Sequence, residues 1–228
     1  MRQNLVMRLS SICLVLAAVA NGSVKKGDVE IDFSGGWLMA TTEAGDLTGT
    51  APAINFDDVL SGATGADLDG WMAMIGLSRF ATNNLQLGIA GFYTQMQGDT
   101  ETFSLPGFPE VTAEFDLDVT AYGVGGRAKW HFNPTAQWVW YAGAQAFWIS
   151  ADVDVDGRIP GFEEIAPPGS NNDSLTGILW GPVAGVRVEI GANDELFLEY
   201  QYHLFSGDIS DVIENGHGFF AGLIHRVK

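Results

Sequence analysis

The chain has 228 residues, a length that one domain accommodates and that a single closed sheet can use in full. Its 28 Asp and Glu against 11 Lys and Arg give a formal charge of −17, which makes nucleic acid a poor partner. One cysteine, Cys13, excludes an internal disulfide framework.

At the N-terminus, Arg2 and Arg8 precede an apolar run from Ile12 to Ala20 that ends in Ala18-Val19-Ala20 before polar Asn21-Gly22-Ser23. Charged, apolar and small residues in that order predict a secretory signal peptide over residues 1–20, cleaved after Ala20. The run is well short of the ~20 apolar residues that span a bilayer as a helix. Cys13 follows Ile12 rather than the small residue a lipoprotein site needs, and leaves with the signal. Cleavage removes Arg2 and Arg8 and no acid, so residues 21–228 carry a formal charge of −19.

From Val29 onward the sequence alternates apolar and polar residues in eight stretches: Val29 to Thr42, Leu68 to Ala81, Leu85 to Gln97, Phe115 to Phe132, Gln137 to Ala151, Ser174 to Ile190, Glu195 to Ser206 and His217 to Val227. Alternation at period 2 predicts strands. Residues 82–84, 133–136 and 191–194 are compact turns rich in Asn, Gly and Pro. The other four connections are long and acidic, with 18 of the 28 acids in residues 43–67, 99–114, 152–173 and 207–217. Short turns on one rim and long loops on the other, with an even strand count, predict an all-β, eight-stranded antiparallel up-and-down transmembrane barrel over residues 21–228.

The fifth stretch sets the facing. Trp138, Trp140, Ala142, Ala144, Ala146 and Trp148 share one parity, and ten residues separate Trp138 from Trp148. At ~3.3 Å per residue and a tilt of about 40°, that interval covers roughly 25 Å, the height of an apolar band between aromatic girdles. Trp130, Trp138, Trp140, Trp148 and Trp180 are the expected girdle. A soluble eight-stranded barrel would carry the same residues inside; the tryptophan spacing and the rim asymmetry favour hydrocarbon outside. In the second stretch both parities are apolar, Trp71, Ala73, Ile75 and Leu77 against Met72, Met74 and Phe80, and the facing is open.

On the lumen parity lie Glu30, Asp32, Arg127, Lys129, Arg187, Glu189, Glu199 and Arg226, four acids and four bases toward the periplasmic half. His131, Gln201 and His203 share that parity, and Leu38, Phe92, Phe147, Phe205 and Phe220 make the upper lumen apolar. Eight strands leave an interior just wide enough for side chains, so a charge-paired plug is expected ahead of an ion pathway.

Asp152, Asp154, Asp156 and Glu163, with Gly157 between, match a calcium-loop spacing, yet a strand precedes them and Pro160-Gly161 follow where a helix should start. No bound cofactor is expected beyond weak calcium association with the acidic loops. His203, Ser206 and Glu199 are the best hydrolase-like residues, but Ser206 has the opposite parity to the other two, so the chain is expected not to be an enzyme.

The end of the chain, Gly222-Leu223-Ile224-His225-Arg226-Val227, resembles the C-terminal assembly signal of small outer-membrane barrels, with His225 and Val227 in place of aromatics. Trp130-His131-Phe132-Asn133-Pro134, followed by Trp138-Val139-Trp140-Tyr141-Ala142-Gly143, resembles a strand-turn-strand common in the same group, typified by the OmpA transmembrane domain, OmpX and OmpW. The resemblance implies a place in the bacterial outer membrane and, as partners, its lipids, lipopolysaccharide and the assembly machinery. The members are anchors, adhesins, small pores and occasional lipid-modifying enzymes, so fold alone leaves the role open. The expected role is structural or interactive at the cell surface, with acidic extracellular loops and an unidentified extracellular ligand. The alternative is a narrow channel for small or hydrophobic compounds.

Overall fold

Period-2 alternation is realised as strands throughout the computed structural model, which describes residues 25–42, 50–51, 54–55, 67–98, 101–105, 108–158 and 169–227. The segment 1–20 and Glu163 lie outside the described residues. The barrel strands are β1 (Val29–Thr42), β2 (Asp67–Phe80), β3 (Leu85–Gly98), β4 (Phe108–Phe132), β5 (Trp138–Arg158), β6 (Gly169–Glu189), β7 (Asp194–Gly207) and β8 (Ile213–Val227). Each pairs antiparallel with its neighbours in sequence. The sheet closes where β1 meets β8, from Val29 opposite Val227 to Trp37 opposite Phe219 and beyond. Closure leaves no edge inside the paired region, the condition for backbone polar groups to sit in hydrocarbon.

Tight turns join β2 to β3, β4 to β5 and β6 to β7 on the rim that also holds both described ends. Asn133 has φ 52°, a left-handed conformation that Asn tolerates, and its carbonyl accepts from the Ala136 N–H at 2.9 Å. On the opposite rim a short strand, Glu101–Leu105, folds back onto β4. A 3₁₀ turn, Asp208–Asp211, links β7 to β8 there.

Three strands are longer than their apolar runs suggest. β4 begins at Phe108 rather than Phe115, β5 continues past Ala151 to Arg158, and β6 starts at Gly169 rather than Ser174. The acids of these stretches resemble loop residues by composition, yet they keep the strand period. Asp118, Asp152 and Asp154 are exposed on the outward parity, and Val119, Ala151 and Val153 are buried on the inward one. β8 likewise begins at Ile213 rather than His217, with Ile213 fully buried.

The outer wall is apolar and open to its surroundings. Trp130, Trp138, Trp140, Trp148 and Trp180 all point outward, each about half exposed, as do Phe33, Ile75, Ile89 and Leu198. In β2 the outward residues are Trp71, Ala73, Ile75 and Leu77, and Met72, Met74 and Phe80 face in. An apolar depression of about 490 Å³ lies in this wall where Gly35, Ala184 and Ala221 are overhung by Trp140, Leu198 and Phe219.

Candidate functional site

In the lumen the strand period gathers charged residues of both signs from distant parts of the chain, and the lumen has two layers. In the half toward the short-turn rim, adjacent strands present inward Glu30 and Asp32 (β1), Gln86 (β3), Arg127, Lys129 and His131 (β4), Tyr141 and Gln145 (β5), Arg187 (β6), Glu195, Glu199 and Gln201 (β7) and Arg226 (β8), all buried. A lone charge buried at this depth is strongly disfavoured, and each of the charged groups here has an ionic partner.

Two clusters form. In the first, Arg187 grips Glu30 with both terminal nitrogens, Nη2 to Oε1 at 2.5 Å and Nη1 to Oε2 at 3.0 Å, and turns its Nε to Glu195. The fork of the guanidinium matches a carboxylate in this geometry. Arg226 bonds the other oxygen of Glu195 and lies 3.6 Å from Glu30 and 3.9 Å from Glu189. Gln86 Nε2 donates to Glu30 Oε2 at 2.8 Å, and its Oε1 lies 3.0 Å from His131 Nε2.

In the second cluster Glu199 is the hub. Arg127 Nη2 donates to its Oε1 at 2.6 Å while Nη1 reaches Asp32 at 3.0 Å. Lys129 Nζ and the Tyr141 hydroxyl both donate to Glu199 Oε2, the latter at 2.8 Å, and Gln201 donates to Oε1 at 2.7 Å. Tyr141 crosses to β7 over Gly185, where a Cβ would fall 2.5 Å from its hydroxyl. Lys129 also rests over the Tyr141 ring, 4.7 Å from its centroid.

The structure therefore brings together all eight charged residues expected from parity and adds Glu195, which bridges Arg187 and Arg226. Glu195 shares parity with Glu199; its place one residue past a turn concealed it. The bonding partners Gln86, Tyr141 and Gln145 also carried the inward parity, but as neutral residues they gave no charge signal.

Above this layer the interior turns apolar. Leu38, Met72, Met74, Phe147, Leu179 and Phe220 are buried in one cluster that continues through Val119 and Val153 to Ile209, Val212 and Ile213 near the far rim. Phe92 and Phe147 meet edge to face with centroids 5.3 Å apart, and Phe205 packs against the cluster half-buried. Gly36 makes room for the Phe220 ring, which would lie 2.5 Å from a Cβ there.

The acids with calcium-loop spacing do not form a loop where they are described. Asp152, Asp154 and Asp156 lie in the straight ladder of β5, paired with Ser174, Asn172 and Ser170. An extended backbone spaces alternate residues ~6.6 Å apart along one face instead of curling them round an ion. Among the described residues no group of three His, Cys, Asp or Glu could hold a metal. His203 and Glu199 lie in the lumen, whereas the Ser206 hydroxyl bonds the Ile178 carbonyl at 3.3 Å.

Comparison with known proteins decides the family. The profile described as outer membrane protein beta-barrel domain matches residues 12–223. The chain belongs to that family. Its place is accordingly the bacterial outer membrane. Similar structures in this family's architecture include the Neisserial surface protein A, 18% identical with a TM-score of 0.50 over 89% of this chain and 97% of that one. The attachment invasion locus protein Ail of Yersinia pestis is 15% identical, TM-score 0.41, over 89% of this chain and 99% of that one. OprG of Pseudomonas aeruginosa is 9% identical, TM-score 0.47, over 92% and 99%. An identity of 18% at a TM-score of 0.50 speaks to the fold alone. No curated relative matches the sequence.

Proposed function

We propose that this outer-membrane barrel is a closed scaffold with a structural or interaction role at the cell surface, not a conduit and not an enzyme. The observation that carries this is the two-layered lumen. A solute would have to part Arg187 from Glu30 and Glu195, or Glu199 from its four donors, and then cross a packed layer of Phe, Met and Leu. An eight-stranded barrel has no spare width in which to route around them. Parting a buried pair leaves two charges uncompensated in a low-dielectric interior, so the ionic layer resists opening.

In this reading the short turns face the periplasm and the long acidic connections face outward. Lipopolysaccharide, outer-membrane lipids and the assembly machinery are its partners. Weak association of calcium with the outer acids is part of the same proposal, since carboxylates held near phosphate-bearing lipids are bridged by divalent ions.

Planar-bilayer recording tests it. The wild-type protein is expected to be silent. Discrete channel events lost on changing Arg127 or Arg187 would overturn the proposal in favour of a narrow channel for small or hydrophobic compounds.

A further inference from the structure

β4, β5 and β6 outgrow the barrel. They run 25, 21 and 21 residues, against 14 for each of β1, β2, β3 and β7. Their excess forms a sheet tongue on the long-loop rim, with β5 at its centre. β4 pairs with β5 out to Glu114 opposite Arg158, and β5 with β6 out to Gly157 opposite Gly169.

The two sides of this tongue are treated differently. On the β4 side, the strand Glu101–Leu105 pairs with residues 108–115 and covers the edge. On the β6 side, β7 stops at Gly207 opposite Gly177. There Gly207, at φ 86°, turns the chain into the Asp208–Asp211 turn, which stays against the end of β6, where Asp208 accepts from the Thr176 hydroxyl at 3.2 Å. Residues 169–176 thus have β5 on one side and, among the described residues, no strand on the other.

Eight residues at ~3.3 Å each leave roughly 26 Å of strand edge whose outward backbone N–H and C=O groups can template another strand. Proteins usually blunt such an edge with lysine, proline or a bulge. The sequence Gly-Ser-Asn-Asn-Asp-Ser-Leu-Thr contains neither lysine nor proline, and its register against β5 runs without a shift.

We propose that residues 169–176 of β6 accept an extended, basic peptide segment of a partner protein by strand addition. Main-chain hydrogen bonds supply the pairing and side-chain charge selects the partner. The tongue, residues 108–120, 151–158 and 169–176, carries eight acids and a single base, Arg158. Asp118, Asp152 and Asp154 stand exposed on its outward face. A segment with lysine or arginine at alternate positions would lay its charges along that face. A second copy of the chain would instead set one acidic tongue beside another, and like charges on adjacent strands repel. This inference rests on the surface-interaction role proposed above and names its partner's chemistry.

The test uses the full-length protein in lipid nanodiscs and an eight-residue lysine–valine alternating peptide. Hydrogen exchange read by mass spectrometry is expected to slow in residues 169–176 on adding the peptide. The same peptide, N-methylated at alternate residues so that it keeps its charge but loses one edge of donors, should bind at least about tenfold more weakly, as the loss of several main-chain bonds requires. Equal binding by the methylated peptide, equal binding by a glutamate–valine peptide, slowed exchange only elsewhere, or self-association of the protein that the peptide displaces would each overturn the proposal. Bilayer recording reads the lumen and not this edge. A silent bilayer without peptide binding removes this inference alone, whereas channel events remove the role it rests on.

Discussion

Arg187 and Glu30 lie 157 residues apart in sequence and meet in the lumen through two parallel hydrogen bonds, at 2.5 and 3.0 Å. The contact depends on barrel closure, because Glu30 is carried by β1 and reaches β6 only across β8 and β7. Removing one partner alone leaves a buried charge half-paired. Glu30→Ala is expected to lower stability by about 3–5 kcal/mol, the usual cost of breaking a buried pair. Replacing both residues with leucine should recover most of that loss, since a buried pair and an apolar isostere are nearly equivalent. Urea unfolding in lipid vesicles, followed by tryptophan fluorescence, measures both. A double variant no more stable than Glu30→Ala would contradict a pairwise account.

The apolar layer gives a separate prediction. Phe147 is 1% exposed and meets Phe92 edge to face, with Leu38 and Phe220 in the same cluster. Phe147→Ala should cost about 3–5 kcal/mol, as for other large-to-small changes in packed cores. It should add to the cost of Glu30→Ala, because the two residues belong to different layers with no shared partner. Strong non-additivity in urea unfolding would show that the layers act as one unit.

Much of this was legible because a strand has only two faces. Trp138, Trp140 and Trp148 fixed the outward parity of β5, and the same parity carried through the ladder assigned Arg127, Arg187 and Glu199 to the interior. Three features escaped for physical reasons. β2 was ambiguous because Met72 and Met74 face an apolar upper lumen, which removes the contrast between inside and outside. The extension of β5 escaped because Asp152 and Asp154 resemble loop residues once the strand leaves the membrane, although Val153 keeps the inward parity. Tyr141 carries the inward parity but, as a neutral residue, gives no charge signal. Its bond to Glu199 depends on the open space at Gly185 on the neighbouring strand, and no single-strand pattern contains that.

Gly185 yields a test of that arrangement. A Cβ there would fall 2.5 Å from the Tyr141 hydroxyl and 2.5 Å from the Leu198 carbonyl. Gly185→Ala should therefore cost about 1–3 kcal/mol, as overpacking usually does. Part of the penalty is steric conflict with Tyr141 and part is conflict with the β7 backbone. In a Tyr141→Leu background the Tyr141 share vanishes, so the penalty of Gly185→Ala should shrink. A penalty unchanged in that background would assign the whole effect to the Leu198 carbonyl.

The lipid-facing assignment predicts how the same substitution behaves at two heights of one strand. Ala144 and Asp154 have the same outward parity on β5, but Ala144 lies between Trp140 and Trp148, whereas Asp154 stands beyond Trp148 on the extended segment. A charge facing hydrocarbon near the midplane must be dehydrated or must distort the bilayer, and arginine there costs about 2–4 kcal/mol; the penalty falls toward zero at the interface. Ala144→Arg should therefore lower the unfolding free energy in vesicles by that amount, and Asp154→Arg should leave it within ~1 kcal/mol. Quenching by brominated acyl chains gives an independent reading of the same boundary, because a bromine in the lipid core reaches Trp140 and Trp148 only if the outward face of β5 contacts hydrocarbon. Ala144→Arg without effect, together with tryptophans untouched by brominated lipid, would place water on that face and reverse the assignment of inside and outside.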